Sequence, residues 1–261
     1  MTHYLDDAVE AAKIGGKVLK EYWGKVSDIR VKSAVGDLVT EADQCSEDAI
    51  LAFIKERYPD HEILSEEAGV HKTESSEYIW HIDPLDGTTN YTHSYPFVAV
   101  SIALLHHRKP IIGVVYNPIL EEIFCGEIGK GATFNDEPLA VSKTSSLQDS
   151  LLATGFAYDR HENPDNNYLE FCRLTQLTHG VRRAGSAALD LAYVAAGKLD
   201  GFWESGLQPW DMSAGYVLIK EAGGKVTGYE GKPFDPYRPR IIAGNPKVHS
   251  LLNQEIEEIR S

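Results

Sequence analysis

Tyr78-Ile79-Trp80-His81-Ile82-Asp83-Pro84-Leu85-Asp86-Gly87-Thr88-Thr89-Asn90 carries an apolar run onto a tight turn loaded with charge. Tyr78 to Ile82 is rich in aromatic and β-branched residues, which suits a buried strand, and Pro84 and Asp86-Gly87 then break it. The two carboxylates stand at the strand end, three residues apart around a fixed-φ proline, with the Leu85 carbonyl between them as a third hard oxygen donor. This outlines a cation site. Gly87-Thr88-Thr89 beside it offers a backbone without bulk and two hydroxyls at the expected start of a helix, where free N–H groups attract an anion. An Asx turn closing a strand is the simpler reading, but it leaves the second Asp, the proline and the Thr pair without a reason. Cation ligands beside an anion cradle point to a metal-bound phosphate.

Working outward, further acids fall at element junctions. Thr40-Glu41-Ala42-Asp43 has the helix-start pattern of a capping box, and Ala42, Cys45, Ala49, Ala52 and Phe53 continue an apolar stripe to Tyr58-Pro59. Asp43 lies in the first turn, where complementing the helix dipole is its ordinary role. Ile63-Leu64-Ser65 runs into Glu66-Glu67; adjacent acids after a strand are usually solvated, but two acid-bearing strand ends invite a shared metal. Asp211 follows Pro209-Trp210 before a helical run, where N-capping is the commoner fate. Together Glu66, Asp83, the Leu85 carbonyl, Asp86 and Asp211 offer oxygen alone, which selects magnesium, manganese or calcium over zinc or copper. Two or more such ions, about 3.5–4 Å apart, would activate a water and stabilise the leaving oxygen of an in-line displacement, so phosphate-ester hydrolysis is the reaction this set serves.

The chain has 261 residues with 39 acidic against 25 basic side chains, a formal charge of −14. That balance disfavours a nucleic-acid surface and repels a phosphorylated substrate unless cations intervene. Cys45, Cys125 and Cys172 are far apart and odd in number, which reads as thiols in a reducing compartment. There is no basic-then-apolar leader and no run of about 18 apolar residues, so no membrane association is expected. The expected location is cytoplasmic, or an organelle lumen once a targeting peptide has been removed.

Elsewhere the pattern is mixed helix and strand. Leu5, Ala8, Ala12, Leu19 and Trp23 share a helical face ended by Gly24, Val26 to Val31 reads as a short strand, and Lys32 to Asp37 as an irregular, mobile loop. Phe97 to Leu105, Ile111 to Tyr116 and Glu122 to Cys125 predict a meandering antiparallel sheet, followed by a hairpin over Gly126 to Pro138. The turn His106-His107-Arg108-Lys109-Pro110 pairs two imidazoles, with no third metal ligand adjacent to them. The best internal boundary is 140–150, giving one domain over 1–261 with subdomains of about 1–145 (metal and phosphate loop) and 146–261 (substrate side and last metal ligand). In the second half Asn163-Pro164 predicts a helix start running to about Thr178, Ala187 to Ala196 a helix stopped by Gly197, and Asp200 to Glu204 a strand. Gly185-Ser186-Ala187-Ala188 allows close approach of another element or of a ligand. A strand at Ile241 to Ala243 and a helix from Pro246 close the chain.

Taken together the chain resembles the inositol monophosphatase family, within the lithium-sensitive, magnesium-dependent phosphatase superfamily. The resemblance runs nearly end to end: Gly36 to Asp43, Ser65-Glu66-Glu67, Trp80 to Asn90, Pro96 to Ser101, Gly113 to Tyr116, Gly185 to Ala188, and Trp210-Asp211 ahead of Glu221 to Gly224. It implies an α+β fold, a layered αβαβα sandwich, and a homodimer. It implies that Glu66, Asp83 and the Leu85 carbonyl hold one magnesium and Asp83, Asp86 and Asp211 a second, with a third ion near Lys32 and the loop after it. Manganese would substitute, lithium inhibit, and calcium inhibit. Thr88, hydrogen-bonded to Asp43, would position the nucleophilic water and Glu66 act on it. The Gly87 and Thr88 amides would hold phosphate, and Gly185, Ser186, Ala187, Glu204 and Asp211 would meet a small phosphorylated polyol, a carboxylate being a natural acceptor for sugar hydroxyls.

The departures lie on the substrate side, where Gly155-Phe156-Ala157-Tyr158-Asp159 stands in place of a small serine near the sugar in some relatives. The expected substrate is myo-inositol 1-phosphate, with fructose 1,6-bisphosphate or histidinol phosphate as alternatives under the same mechanism. A haloacid-dehalogenase-type phosphatase has one residue between its acids where this chain has two, Pro84 and Leu85, and would form an aspartyl phosphate on Asp83. A regulatory protein on the same fold is the remaining alternative.

Overall fold

The computed structural model describes residues 3–25, 29–31, 38–71 and 76–261. The Lys32 to Asp37 loop, with its expected link to a further ion, lies outside them, as do Val26 to Asp28 of the short strand. Along the chain run α1 (Tyr4–Tyr22), β1 (Ile29–Val31), β2 (Leu38–Thr40), α2 (Glu41–Arg57), β3 (Glu62–Ser65), β4 (Gly69–His71), β5 (Tyr78–Asp86) and α3 (Thr88–Thr92). There follow β6 (Ala99–His106), β7 (Lys109–Asn117), β8 (Glu122–Glu127), β9 (Gly131–Phe134), β10 (Glu137–Pro138) and β11 (Leu151–Thr154). The rest comprises α4 (Tyr168–Leu177), β12 (Gly180–Arg182), α5 (Ala187–Ala195), β13 (Gly201–Ser205), α6 (Pro209–Glu221), β14 (Lys225–Thr227), β15 (Arg240–Gly244) and α7 (Pro246–Arg260).

Two sheets organise these elements. One has eight strands in the order β10-β9-β8-β7-β6-β5-β3-β4, antiparallel except where β3 meets β5; the other has five, β12-β11-β13-β15-β14. α1 and α2 cover one face of the larger sheet, α5 and α6 lie between the sheets, and α4 and α7 cover the outside of the smaller. The result is the five-layered αβαβα sandwich of an α+β fold. Helix α1 owes its place to Ala8, Ala11, Ala12 and Leu19, all fully buried on its apolar stripe. The inner layer is greasier: Leu189, Leu191, Met212, Leu218 and Ile219 join residues of both sheets in one apolar cluster. α6 presses on β7 at Gly113, where a Cβ would fall 2.4 Å from the Ala214 carbonyl oxygen, so only glycine admits the helix there.

Two readings need correction. β5 does not stop at Pro84 but runs to Asp86; its register against β6 slips between Asp83 and Asp86. Proline, having no N–H, interrupts the ladder without ending the strand. Asn163-Pro164 does not start a helix. Asn163 Oδ1 accepts from Asp165 N–H at 2.9 Å in an Asx turn, and α4 begins only at Tyr168, after left-handed Asn167 (φ 68°). Asn167 is drawn into the core, donating to Thr154 Oγ1 and the Gly155 carbonyl and accepting from Trp203 Nε1, and those bonds outweigh the local preference for a helix from Pro164.

Candidate active site

Three chain segments bring their acids to one cavity of about 380 Å³ at the ends of β3, β5 and α6. Asp83, Leu85 and Asp86 come from the bulged end of β5, Glu66 follows β3, and Asp211 sits in the first turn of α6. Gly87, Thr88, Gly185, Ser186, Ala187 and Glu204 line the same space. Asp43 stands behind Thr88, fully buried.

Local bonds aim each group. Leu85 N–H donates to Asp83 Oδ1 at 2.9 Å, folding the carboxylate back over the proline turn. Asp86 Oδ2 accepts from Ser186 Oγ and from Ala188 N–H, both at 2.7 Å, which ties β5 to the start of α5 across 100 residues. Gln208 N–H donates to Asp211 Oδ2 at 2.7 Å. Asp211 is thus the third helical residue, bonding back to the N-cap, and Gln208 rather than Asp211 is the cap. Thr88 Oγ1 reaches Asp43 Oδ1 at 3.1 Å and the Leu85 carbonyl at 3.2 Å. Asp43 also closes the capping box of α2, accepting from Thr40 N–H at 2.9 Å and from the Thr40 hydroxyl, so it serves the helix end and Thr88 at once. Gly87 is left-handed (φ 93°) and a Cβ there would meet the Phe97 and Gly185 carbonyl oxygens at 3.0 and 3.2 Å. The helix after it, α3, is only five residues long, so the expected dipole contribution to an anion cradle is small.

Burial, then the charges of Glu66, Asp86 and Asp211, push the Asp83 carboxyl well above the ordinary carboxylate range. Burial likewise raises Asp211 and Glu204, and raises Asp86 to about 6 against the pull of its bonds from Ser186 and Ala188. Asp43 is raised to about 6, again by burial, opposed by Thr40 and Thr88. Six carboxylates line the cavity and Arg183 is its one basic residue among those described. Oxygen donors so crowded, desolvated and short of positive charge fit divalent cations held by Glu66, Asp83, Asp86, Asp211 and the Leu85 carbonyl.

Asp190 and Arg183 are site residues that the sequence reading missed. Asp190 is 2% exposed and its Oδ1 has no hydrogen-bond partner among the described residues. Burial and the Asp86 charge push it well above the usual range, while Arg183 pulls it and Glu204 the other way. The one signal available was a charged residue inside the apolar run Ala187-Ala188-Leu189-Asp190-Leu191-Ala192.

The family model described as "Inositol monophosphatase family" matches residues 1–261. An inositol-1-monophosphatase of Synechocystis sp. is 53% identical over 253 residues, covering 97% of this chain and 88% of its own length. A Pseudomonas aeruginosa protein named Nus factor SuhB is 41% identical over 262 residues, covering 98% and 97%. The solved structure of inositol monophosphatase from Anabaena (Nostoc) sp. superposes with a TM-score of 0.89 at 50% identity, over 98% of this chain and 95% of that one. A family model spanning every residue, a relative identical at over half its positions and a shared five-layered fold converge: this chain belongs to the inositol monophosphatase family.

Proposed function

We propose that this chain hydrolyses myo-inositol 1-phosphate and similar inositol monophosphates to myo-inositol and phosphate, with magnesium as its working ion. The observation that carries this is the cavity lined by six carboxylates, Asp83, Asp190 and Glu204 of them buried, with one arginine among its described lining residues, beside the Thr88–Asp43 pair. Glu66, Asp83 and the Leu85 carbonyl would hold one ion, and Asp83, Asp86 and Asp211 another. Bound there, divalent cations supply positive charge that polarises the phosphate ester and lowers the pKa of water.

The chain's own groups supply orientation and a proton path. With its hydroxyl hydrogen shared between Asp43 Oδ1 and the Leu85 carbonyl, Thr88 Oγ1 keeps a lone pair to accept from the attacking water. The water's proton passes through Thr88 Oγ1 to Asp43 Oδ1, whose carboxyl is raised to about 6 and so suits a base working near neutrality. Glu66 is the second group placed to act on that water. Gly87 and Thr88 amides hold the phosphate, and Ser186, Ala187, Glu204 and Asp211 meet the polyol. Arg183 is the one basic residue among the described lining residues and faces the charges of Asp190 and Glu204, which favours a monophosphate over fructose 1,6-bisphosphate.

The same reading includes inhibition by lithium and assembly as a homodimer, with 1–145 contributing metal and phosphate contacts and 146–261 the polyol side and the last metal ligand. Among the described residues no helix is long and apolar enough to cross a membrane, and a cytoplasmic location is part of the proposal. The test is phosphate release from myo-inositol 1-phosphate, fructose 1,6-bisphosphate and histidinol phosphate with magnesium or chelator. Preference for the inositol ester, abolished by chelation, is expected; turnover of none of them would overturn the reading. Likeness to a protein named Nus factor SuhB favours a second, regulatory reading. A catalytically inactive D86N that still supplies the chain's role in cells would establish it.

A further inference from the structure

At the far end of β5 from the acids, three other ligand-bearing side chains converge. Glu77 directly precedes the strand, and His106 and His107 stand at the turn from β6 to β7. His106 Nε2 lies 3.6 Å from Glu77 Oε2 and His107 Nε2 lies 3.8 Å from Glu77 Oε1. One ligand atom from each residue falls within 4.8 Å of the other two. The third ligand was invisible in sequence because Glu77 stands 29 positions before His106; the pairing of Tyr78 with His106 brings it there.

Adjacent strand residues point to opposite faces. Here the left-handed backbone of His107 (φ 47°) and Arg108 (φ 63°) breaks that alternation, and both rings turn to one carboxylate with centroids 4.1 Å apart. His107 N–H donates to the Glu77 carbonyl at 2.8 Å, and the Tyr78 ring stacks on His106 at 4.6 Å. The Arg108 guanidinium is drawn off onto the Tyr237 ring, 3.9 Å from its centroid. A plain surface ion pair needs one imidazole; two charged rings this close would repel, whereas two neutral ones offer lone pairs to a shared cation.

We propose that Glu77, His106 and His107 form a second cation site, separate from the acidic cavity, for a borderline transition metal such as zinc. Two imidazole nitrogens and one carboxylate oxygen suit zinc, nickel or cobalt, whereas the oxygen-only cavity suits magnesium. Zinc–nitrogen bonds of about 2.0–2.1 Å require the ligand atoms to close by up to about 1.5 Å, which half-exposed and exposed side chains do by rotation. The 9 residues of β5, at about 3.3 Å each, keep this site more than about 20 Å from Asp86, so the two sites fill independently.

The test is zinc titration of the chelator-stripped, dialysed full chain in excess magnesium, followed by calorimetry and, with cobalt, by the ligand-field spectrum. One saturable equivalent is expected, bound about tenfold or more weakly by H107N and by E77Q, with a cobalt spectrum showing nitrogen ligation in the wild type. Asparagine accepts the left-handed backbone, so H107N keeps the turn. Circular dichroism and magnesium-dependent phosphate release should match the wild type in both variants. Absence of zinc binding by the wild type, or wild-type zinc affinity in both folded variants, would overturn the proposal, the latter by placing zinc on the acidic cavity.

Discussion

Glu204 occupies the space that a side chain at position 155 would need: a Cβ on Gly155 would sit 2.2 Å from Glu204 Oε1 and 2.3 Å from Oε2. Gly155 follows β11 and Glu204 lies on β13, each one residue past the paired Thr154 and Trp203, so the carboxylate of Glu204 must swing aside to admit a Cβ. G155A is expected to displace the buried carboxylate proposed to accept polyol hydroxyls. KM for inositol 1-phosphate should rise about tenfold, the worth of one charge-assisted bond, with a smaller change in kcat. Steady-state kinetics on the folded variant check this, and an unchanged KM would remove Glu204 from the substrate site.

Thr88 and Asp43 allow a sharper test of the proton path. T88S keeps the hydroxyl and should retain most activity, while T88V keeps the shape without it and should lose about 10²–10⁴-fold in kcat. D43N keeps an acceptor for Thr88 but not the basicity, and is expected to fall in the same range. Comparable rates in T88S and T88V would show that the hydroxyl takes no part.

The crowded carboxyls predict a trade between activity and stability. Asp86 is raised from 3.8 to about 6, so the folded chain holds this proton more tightly than the unfolded one. Its contribution to stability is complete below about pH 4 and is lost as pH rises through about 6. In D86N the side-chain oxygen can still accept from Ser186 and Ala188, and the amide adds no charge. With chelator at pH 8, D86N should therefore melt about 3–8 °C above the wild type, for about 1–3 kcal/mol, and the gap should close toward pH 4. Added magnesium should raise the wild-type Tm by more than that of D86N, which loses a ligand of one of the two proposed ions. A variant that melts lower than the wild type in chelator at pH 8 contradicts this.

Gly113 predicts how the last acid is held. The atoms a Cβ would strike are backbone, the Ala214 oxygen at 2.4 Å and Cα at 2.8 Å, so the helix itself must move. G113A should cost about 1–3 kcal/mol of stability and weaken magnesium activation through Asp211, three residues earlier on α6. Thermal melting and the magnesium dependence of phosphate release measure the two effects. A Tm within a degree of the wild type would mean that the inner layer yields freely.

Much of this was legible along the chain, for reasons that are local. Asp83-Pro84-Leu85-Asp86-Gly87 signals its own turn, though not the bulge that lets β5 continue through the proline, and Thr40 to Asp43 encodes its own cap. What failed depended on distance. Pro164 looks like a helix start until Asn167 is seen bonded to Thr154 and Trp203; Asp190 looks like an exposed helix position until its burial is known; Glu77 means nothing until β5 pairs with β6. Long-range pairing and burial are the two quantities that a residue's neighbours in sequence do not carry.

α6 lies between the two sheets and brings Asp211, in a chain of 261 residues, to acids supplied by the first third. During synthesis the Glu66, Asp83 and Asp86 carboxylates leave the ribosome long before their last companion exists. Nascent chains fold in the order they emerge. The large sheet must therefore form around an electrostatically frustrated strand end, and a chain interrupted before α6 is a folding intermediate that lacks the last of the proposed ligands. In this architecture, gaining the last acid and completing the inner layer are one event, so the second of the two proposed ion sites can exist only in a finished molecule.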